Sequence, residues 1–370
     1  MPINNSLISA GSDAVIKLWD LEQAANPSLP FTHRPVATTR RTDDPAHGHR
    51  YGVTHLSFYP FDSAAFLSTS YDQTLKLWSA ATAQVSGSFA LGAKAYTHAV
   101  SPIASHLLVA CATQHPAVRL VDLRSSAAVQ SLVAPGILGG AAGANLAVAW
   151  SPTHEHVLAS GSLDGAVRIW DVRRSSALVG LLDFEDSLGP LHPSRLHNVT
   201  GPSGADGLAG RGIRSTARAH NAPVNGITWT DDGAYVVTAG LDRKIRVWDA
   251  ATGANTLAAF GPAVRNDTLA RITMFVSPTG LMPKGRDLLF FPSEREVLVM
   301  DLHEGTTATR LRAMEPSVSS VRAAQGGERT VRNRVTSSMY SHQLYSGHGV
   351  LLTLRLRYSC MEGRRRRGQL

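Results

Sequence analysis

Two short-range histidine pairs and two cysteines are the first places to look for chemistry in this chain of 370 residues. His47-Gly48-His49 and His154-Glu155-His156 could offer imidazoles to a metal. Neither has the i, i+4 spacing by which one helix face presents two zinc ligands, and both fall in expected loops. Cys111 and Cys360 stand far apart, form no C-x-x-C and have no activating His beside them in sequence. That argues against a zinc site, a disulfide scaffold or a thiol nucleophile, and favours a reducing compartment. There is no G-x-S-x-G elbow, and Gly139-Gly140-Ala141-Ala142-Gly143 lacks the spacing and the Lys-Ser/Thr of a phosphate cradle. No catalytic site, metal or cofactor is therefore expected.

The elements that would have to position any such residues are announced by a recurring phrase. An Asp in a tight turn is followed by a strand that ends in Trp six residues later. It occurs as SDAVIKLWD (Asp13, Trp19), YDQTLKLWS (Asp72, Trp78), LDGAVRIWD (Asp164, Trp170) and LDRKIRVWD (Asp242, Trp248). A fixed spacing at separated places marks one supersecondary unit laid down repeatedly. Small residues such as Ala10-Gly11, Ser160-Gly161 and Ala239-Gly240 let the chain tighten, and the short Asp carboxylate can accept turn N–H groups. The strands after it, such as Val167, Ile169 and Trp170, are nearly continuous in apolar character, as suits burial on both faces.

These features resemble the WD repeats of β-propellers, which implies an all-β fold of four-stranded blades. Degenerate copies put Val121, Met300 and Leu356 at the Trp place, giving seven expected blades over residues 1–358, incomplete at the first and last. The long step from Trp170 to Trp248 holds an insertion, 183–218, rich in Gly, Pro and Ser, expected to be a flexible loop that a protease cuts first. The resemblance also implies a structural tetrad in two blades, His49, Ser68, Asp72 and Trp78, then His220, Thr238, Asp242 and Trp248. A buried imidazole bonded to a buried carboxylate is satisfied, so these sets are read as struts and not as catalytic triads. The blade ending at Trp170 has Ala141 where the His would fall.

The formal charge of +8 raises a nucleic-acid reading. Four of the positive charges are Arg364 to Arg367 in a basic tail, 359–370, and the rest are scattered, with neither a basic aromatic stripe nor a reading helix. Direct sequence-specific binding to nucleic acid is not expected. Leu132 to Trp150 is uncharged, but Pro135, Asn145 and its glycines read as an outer strand, a loop and an inner strand, not a membrane span. The start, MPINNSLISAGSD, has no charged n-region or long apolar run, so no secretory signal is expected.

The copies differ after the Trp. Trp19-Asp20 is followed by Leu21-Glu22, Trp78-Ser79 by Ala80-Ala81 and Trp248-Asp249 by Ala250-Ala251, whereas Trp170-Asp171 continues Val172-Arg173. With VLASGSLDGAVRI before it, this resembles the box by which WD-repeat receptors dock on the large damage-specific DNA-binding subunit, the adaptor of cullin-4 ubiquitin ligases. The resemblance assigns adaptor binding to Asp164, Trp170, Asp171 and Arg173, with Arg124 in Val121-Asp122-Leu123-Arg124 as a weaker copy. The wider succession, HRYGVTHLSFYPFDSAAFLSTSYDQTLKLWS through AHNAPVNGITWTDDGAYVVTAGLDRKIRVWD, is similar to the Cockayne syndrome A family and its fungal relatives. That likeness implies a nuclear, non-catalytic substrate receptor in transcription-coupled nucleotide excision repair. Its implied partners are the cullin-4 adaptor, the Cockayne syndrome B ATPase and stalled RNA polymerase II. Alternatives are a general WD scaffold of a nuclear chromatin or RNA-processing complex and, more remotely, a propeller hydrolase, which would need a nucleophile and base that the sequence does not bring together. Too few residues precede Leu7 for a closing strand, and the segment from Ser341 lacks its own Asp and Trp, so the ring is expected to be open at that seam and that segment poorly packed.

Overall fold

The computed structural model describes residues 6–20, 34–44, 46–125, 129–133, 143–174, 177–192, 217–281, 286–293 and 296–312. All regular structure among them is β, with no helix and hence none able to cross a membrane. The strands form six antiparallel sheets, each a meander of three or four consecutive strands. The described residues divide into two compact units, those up to Ala95 and those from Tyr96 on.

The first unit holds two sheets. One is β1 (Ser6–Ala10), β2 (Ile16–Asp20) and β3 (Pro35–Thr38); the other is β4 (Val53–Tyr59), β5 (Asp62–Ser70), β6 (Thr74–Ser79) and β7 (Gln84–Ala90). Ile8, Leu18, Phe58, Phe66 and Trp78 join them in one apolar core, where Phe66 and Trp78 stack with ring centroids 5.7 Å apart.

The second unit holds four sheets. The third sheet of the chain is β8 (Ala95–Val100), β9 (Leu108–Thr113), β10 (Val118–Asp122) and β11 (Val129–Leu132). The fourth is β12 (Asn145–Trp150), β13 (Val157–Ser162), β14 (Val167–Asp171) and β15 (Leu178–Leu181). The fifth has three strands, β16 (Val224–Trp229), β17 (Tyr235–Gly240) and β18 (Lys244–Asp249), and the sixth is β19 (Phe275–Val276), β20 (Leu288–Ser293), β21 (Glu296–Asp301) and β22 (Thr307–Arg312). Apolar layers join third to fourth, fourth to fifth and fifth to sixth, which is why every residue of β14 is buried.

Val121 and Met300 occupy the Trp place as read from sequence, both wholly buried. The stretch Leu132 to Trp150 begins in β11 and ends in β12, as expected for an outer and an inner strand. Six blade-like sheets are thus described where seven are predicted; the seventh, with Leu356 and the segment from Ser341, lies outside the described residues, as do Ala141 and the tail. Of the insertion, 183–192 is held against the fourth and fifth sheets: Leu191 N–H donates to Thr252 C=O at 2.8 Å and Phe184 N–H to Arg218 C=O at 3.0 Å. Residues 193–216 lie outside the described set.

His98, in β8, is wholly enclosed. Burial, reinforced by the charge of Arg271, depresses its pKa from an ordinary 6.5 to about 3. Because the folded form resists the proton that the unfolded chain accepts, this contribution to stability is complete above pH 6.5 and is lost progressively as pH falls toward 3. Replacing His98 with Gln is expected to flatten the fall in unfolding free energy between those limits by about one proton's worth of slope, measurable by denaturant melts across pH. An unchanged slope would refute the assignment.

Candidate functional site

Strand register fixes a common slot system. The residue ten before each Trp pairs across the hairpin with the residue two before it: Ser9 with Lys17, Ser68 with Lys76, Ser160 with Arg168 and Thr238 with Arg246. In all four the indole N–H donates to the hydroxyl, at 2.8, 2.7, 2.8 and 2.9 Å. In the third sheet the same slots hold Cys111 opposite Arg119, beside Val121, so an apolar pair replaces the hydrogen bond. Burial pushes the Cys111 thiol far above its ordinary range and leaves it unreactive.

The two tetrads form as the resemblance implies. His49 donates from Nδ1 to Asp72 Oδ2 at 2.7 Å and accepts at Nε2 from Ser68 Oγ at 2.6 Å. His220 Nδ1 lies 2.9 Å from Asp242 Oδ1 and Nε2 2.8 Å from Thr238 Oγ1, and here Arg246 Nη1 also lies 2.7 Å from Nδ1. The donor order is that of a Ser-His-Asp triad, but Ser68 and Thr238 are wholly buried and each hydroxyl is capped by an indole N–H, so no substrate carbonyl can reach them. They are struts tying two strands and the loop that opens the blade to a turn.

Burial raises the pKa of the Asp72 carboxyl, but hydrogen bonds from His49, Thr74 and the Arg50 backbone outweigh it and hold it at about 2, below the ordinary 3.8. This stabilisation is present above pH 3.8 and is lost as pH falls through about 2. With water reaching the turn it is worth about 1 to 2 kcal/mol. Asp72→Asn should remove that final acid step in a pH titration of unfolding while lowering stability at neutral pH; an identical acid limb would contradict it.

Two substitutions in the slots escape a sequence reading. In the fourth sheet Arg168 donates to Asp164 Oδ2 at 2.7 Å, as Arg246 does to Asp242 Oδ2 at 3.0 Å in the fifth, and also to Ser162 Oγ at 2.8 Å, while Ser162 bonds to Asn145. In the third, His115 stands at the turn-Asp place and its Nδ1 accepts the Ala117 N–H at 3.1 Å, as Asp164 Oδ1 accepts that of Ala166 at 2.9 Å. Burial, then the charge of Arg119, lowers the pKa of His115, which keeps that acceptor lone pair free. The basic residue two before each Trp was a readable signal; a His replacing an Asp was not.

The opposite end of the fourth sheet, away from the Asp164 turn, carries Arg173. Its Nε and Nη2 straddle the Asp171 carboxylate at 3.1 and 2.9 Å, and its backbone N–H donates to the same group at 3.1 Å. Arg124 makes the same clamp on Asp122 at 3.2, 3.1 and 3.0 Å. Both guanidiniums are about two-thirds exposed while the carboxylates are largely covered, at 64% against 12% and 67% against 22%. The fork bonds hold both Asp pKa values down and raise those of the Arg. Trp170 and Asp171 are buried and Asp164 lies at the other end of the sheet, so of the residues assigned to docking only Arg173 and Arg124 present an exposed charge at this end of the fourth and third sheets.

Between the clamps the two sheets are tied together. Glu155 C=O accepts from Trp150 Nε1 and His106 Nε2, both at 2.7 Å, its carboxylate takes the Ser105 N–H at 3.2 Å, and the rings of His106 and His156 stack 5.5 Å apart. The paired histidines of the sequence do not converge: His47 meets Asp44 at the surface while His49 is buried, and His154 turns to Thr153.

Residues 42–79, 143–171 and 213–249 match the model of the WD domain, G-beta repeat, covering the second, fourth and fifth sheets up to their Trp strands. Those three sheets thus carry WD40 repeats, the unit from which β-propeller blades are built. It is 29% identical over 361 residues to WD repeat-containing protein ATCSA-1 of Arabidopsis thaliana, across 85% of this chain and 77% of the relative. Radiation-sensitive protein 28 of Saccharomyces cerevisiae is 26% identical over 202 residues, 54% of this chain and 38% of that protein. Ribosome biogenesis protein YTM1 of Phaeosphaeria nodorum is 28% identical over 263 residues, 66% and 51%.

Proposed function

We propose that this chain is a substrate-receptor subunit of a cullin-4 RING ubiquitin ligase, serving transcription-coupled nucleotide excision repair in the nucleus. The observation that carries the reading is the pair of preorganised forks, Arg173 on Asp171 and Arg124 on Asp122, at equivalent positions of neighbouring sheets. Each fork spends two donors on its own carboxylate and keeps its remaining N–H groups facing solvent, the form in which Arg recognises a partner's carboxylate or carbonyl with little ordering cost. The likeness to ATCSA-1 and Radiation-sensitive protein 28 supports the repair assignment. Ubiquitin transfer would occur on other subunits, and the Cockayne syndrome B ATPase and stalled RNA polymerase II would be the machinery the receptor meets.

The likeness to YTM1 favours a second reading, a scaffold in a nuclear RNA-processing complex. Affinity purification of the tagged chain from nuclear extract separates the two. The cullin-4 adaptor should be recovered with wild type and absent with Arg173→Glu; pre-ribosomal particles recovered equally with both would favour the scaffold.

A further inference from the structure

The residue just before the turn Asp is pinned in the same way in the fourth and fifth sheets. Leu163 N–H donates to Ala144 C=O and Leu241 N–H to Pro223 C=O, both at 2.9 Å. Leu163 is thereby held at the turn end of its sheet, away from the Arg173 rim, and is 40% exposed. The turn that follows abuts the loop opening the fifth sheet: the N–H groups of Ala219 and His220 both donate to Gly165 C=O, at 3.1 and 2.9 Å, and a side chain at Gly165 would collide with His220 C=O. That loop reaches the next turn in the same manner, with Asn221 N–H donating to Asp242 Oδ2 at 3.3 Å. Beyond half-buried Leu241 the strip runs into the loop before the sixth sheet, which is braced as a finger. Asn225 and Asn266 pair amide to amide at 2.9 and 2.8 Å, and Asn266 Nδ2 also donates to Gly240 C=O at 2.8 Å. Asn225 Nδ2 lies 2.9 Å from Thr268 C=O and 2.7 Å from Ala270 C=O. One buried amide thus fixes the carbonyls on both sides of Leu269, whose side chain is presented to solvent at 56% exposure.

We propose that this strip, from Leu163 through Leu241 to Leu269, docks a segment of a partner protein that combines acidic with large apolar side chains. That the partner is the captured protein rests on the receptor reading above; the chemistry of the docking does not. Surface leucines scattered singly need no partner, but here they share one strip and their backbones are fixed before anything binds, which lowers the ordering cost of an interface. Charge sets the sign of the partner. The acids of the strip are already paired, Asp164 with Arg168 at 2.7 Å, Asp242 with Arg246 at 3.0 Å and Asp267 with Arg243 at 2.6 Å. Arg218, Lys244 and Arg265 are exposed and have no side-chain partner among the described residues. Glu185 and Asp186 follow the outer strand β15, where Phe184 N–H meets Arg218 C=O, so a partner's acids fall on the side of Arg265 and the finger. Uncompensated cations around apolar side chains favour carboxylates and repel a second copy of this chain, which would bring the same cations. The exposed apolar side chains are leucines and not aromatic rings, so the stacking surface that single-stranded nucleic acid uses is lacking and a protein is favoured.

The probe is a phage-displayed library of random peptides of about twelve residues, selected on the immobilised full chain, with the enriched peptide then labelled and titrated by anisotropy. Enriched peptides are expected to combine Asp or Glu with Leu, Ile or Phe. Their affinity should fall about tenfold or more with Leu269→Ser, and likewise with Lys244→Glu and Arg265→Glu combined, and should be unchanged by Arg173→Glu. All three side chains are exposed, and the finger is braced through the carbonyls of Thr268 and Ala270, so these replacements should leave the β circular-dichroism signal unchanged. Adaptor binding by Lys244→Glu should also be unchanged; peptide binding that persists in a chain unable to hold the adaptor would support this strip while counting against the receptor reading. The proposal is overturned by the absence of any enriched sequence, by enrichment of basic peptides, by an affinity indifferent to both variants, or by a thymidine oligonucleotide that binds the same residues more tightly than the peptide.

Discussion

Trp248→Ala is expected to lower the unfolding free energy by about 3 to 5 kcal/mol, the cost of emptying a fully enclosed indole site. The ring packs between the fourth and fifth sheets with Ile227 and Val236, and its N–H ends the Thr238-His220-Asp242 strut. Thr238→Val separates packing from polarity. It keeps the volume, but strands the Trp248 N–H and removes the proton donated to His220, costing about 1 to 3 kcal/mol for each group left unpaired. Chemical denaturation of the three proteins at neutral pH measures both. A loss below about 1 kcal/mol for Trp248→Ala would mean that the repeat's Trp is not what joins these sheets.

Arg173→Glu is expected to weaken adaptor binding by about 2 to 5 kcal/mol while leaving the melting curve close to wild type. The carboxylate of Asp171 is covered and its fork partner faces solvent, so reversal places two acids side by side at the rim and removes the donors a partner would meet. Arg124→Glu should act in the same direction, because its clamp has the same geometry. Stability is largely spared in both cases: an exposed ion pair contributes up to about 1 kcal/mol to folding.

Much of this was legible because the repeat writes its core into side chains. The Asp-to-Trp spacing located four hairpins, and alternating apolar strands revealed the two copies in which Val121 and Met300 replace the indole. The buried struts around His49 and His220 were implied by the resemblance to WD repeats, not by spacing alone. Features that depend on one polar group standing in for another were not legible. Nothing in the residue types says that Arg168 would reach Ser162 as well as Asp164, or that His115 would present Nδ1 where other repeats present a carboxylate oxygen. The short fifth sheet was hidden for a related reason: Thr256 to Phe260 has the composition of a strand, and it is the local turn at Asn255 and Leu257 that carries it off the edge. The clamp of Arg124 on Asp122 depends only on an Asp and an Arg two apart, which the Val121-Asp122-Leu123-Arg124 sequence keeps.

The most direct test of the receptor reading is a calorimetric titration of the full-length chain with the purified cullin-4 adaptor, repeated with Arg173→Glu and with Lys244→Glu. A saturable complex is expected for the wild type, with a Kd raised roughly thirtyfold or more by Arg173→Glu and unchanged by Lys244→Glu. A wild-type chain that binds no adaptor, or one whose affinity is indifferent to Arg173, would contradict it.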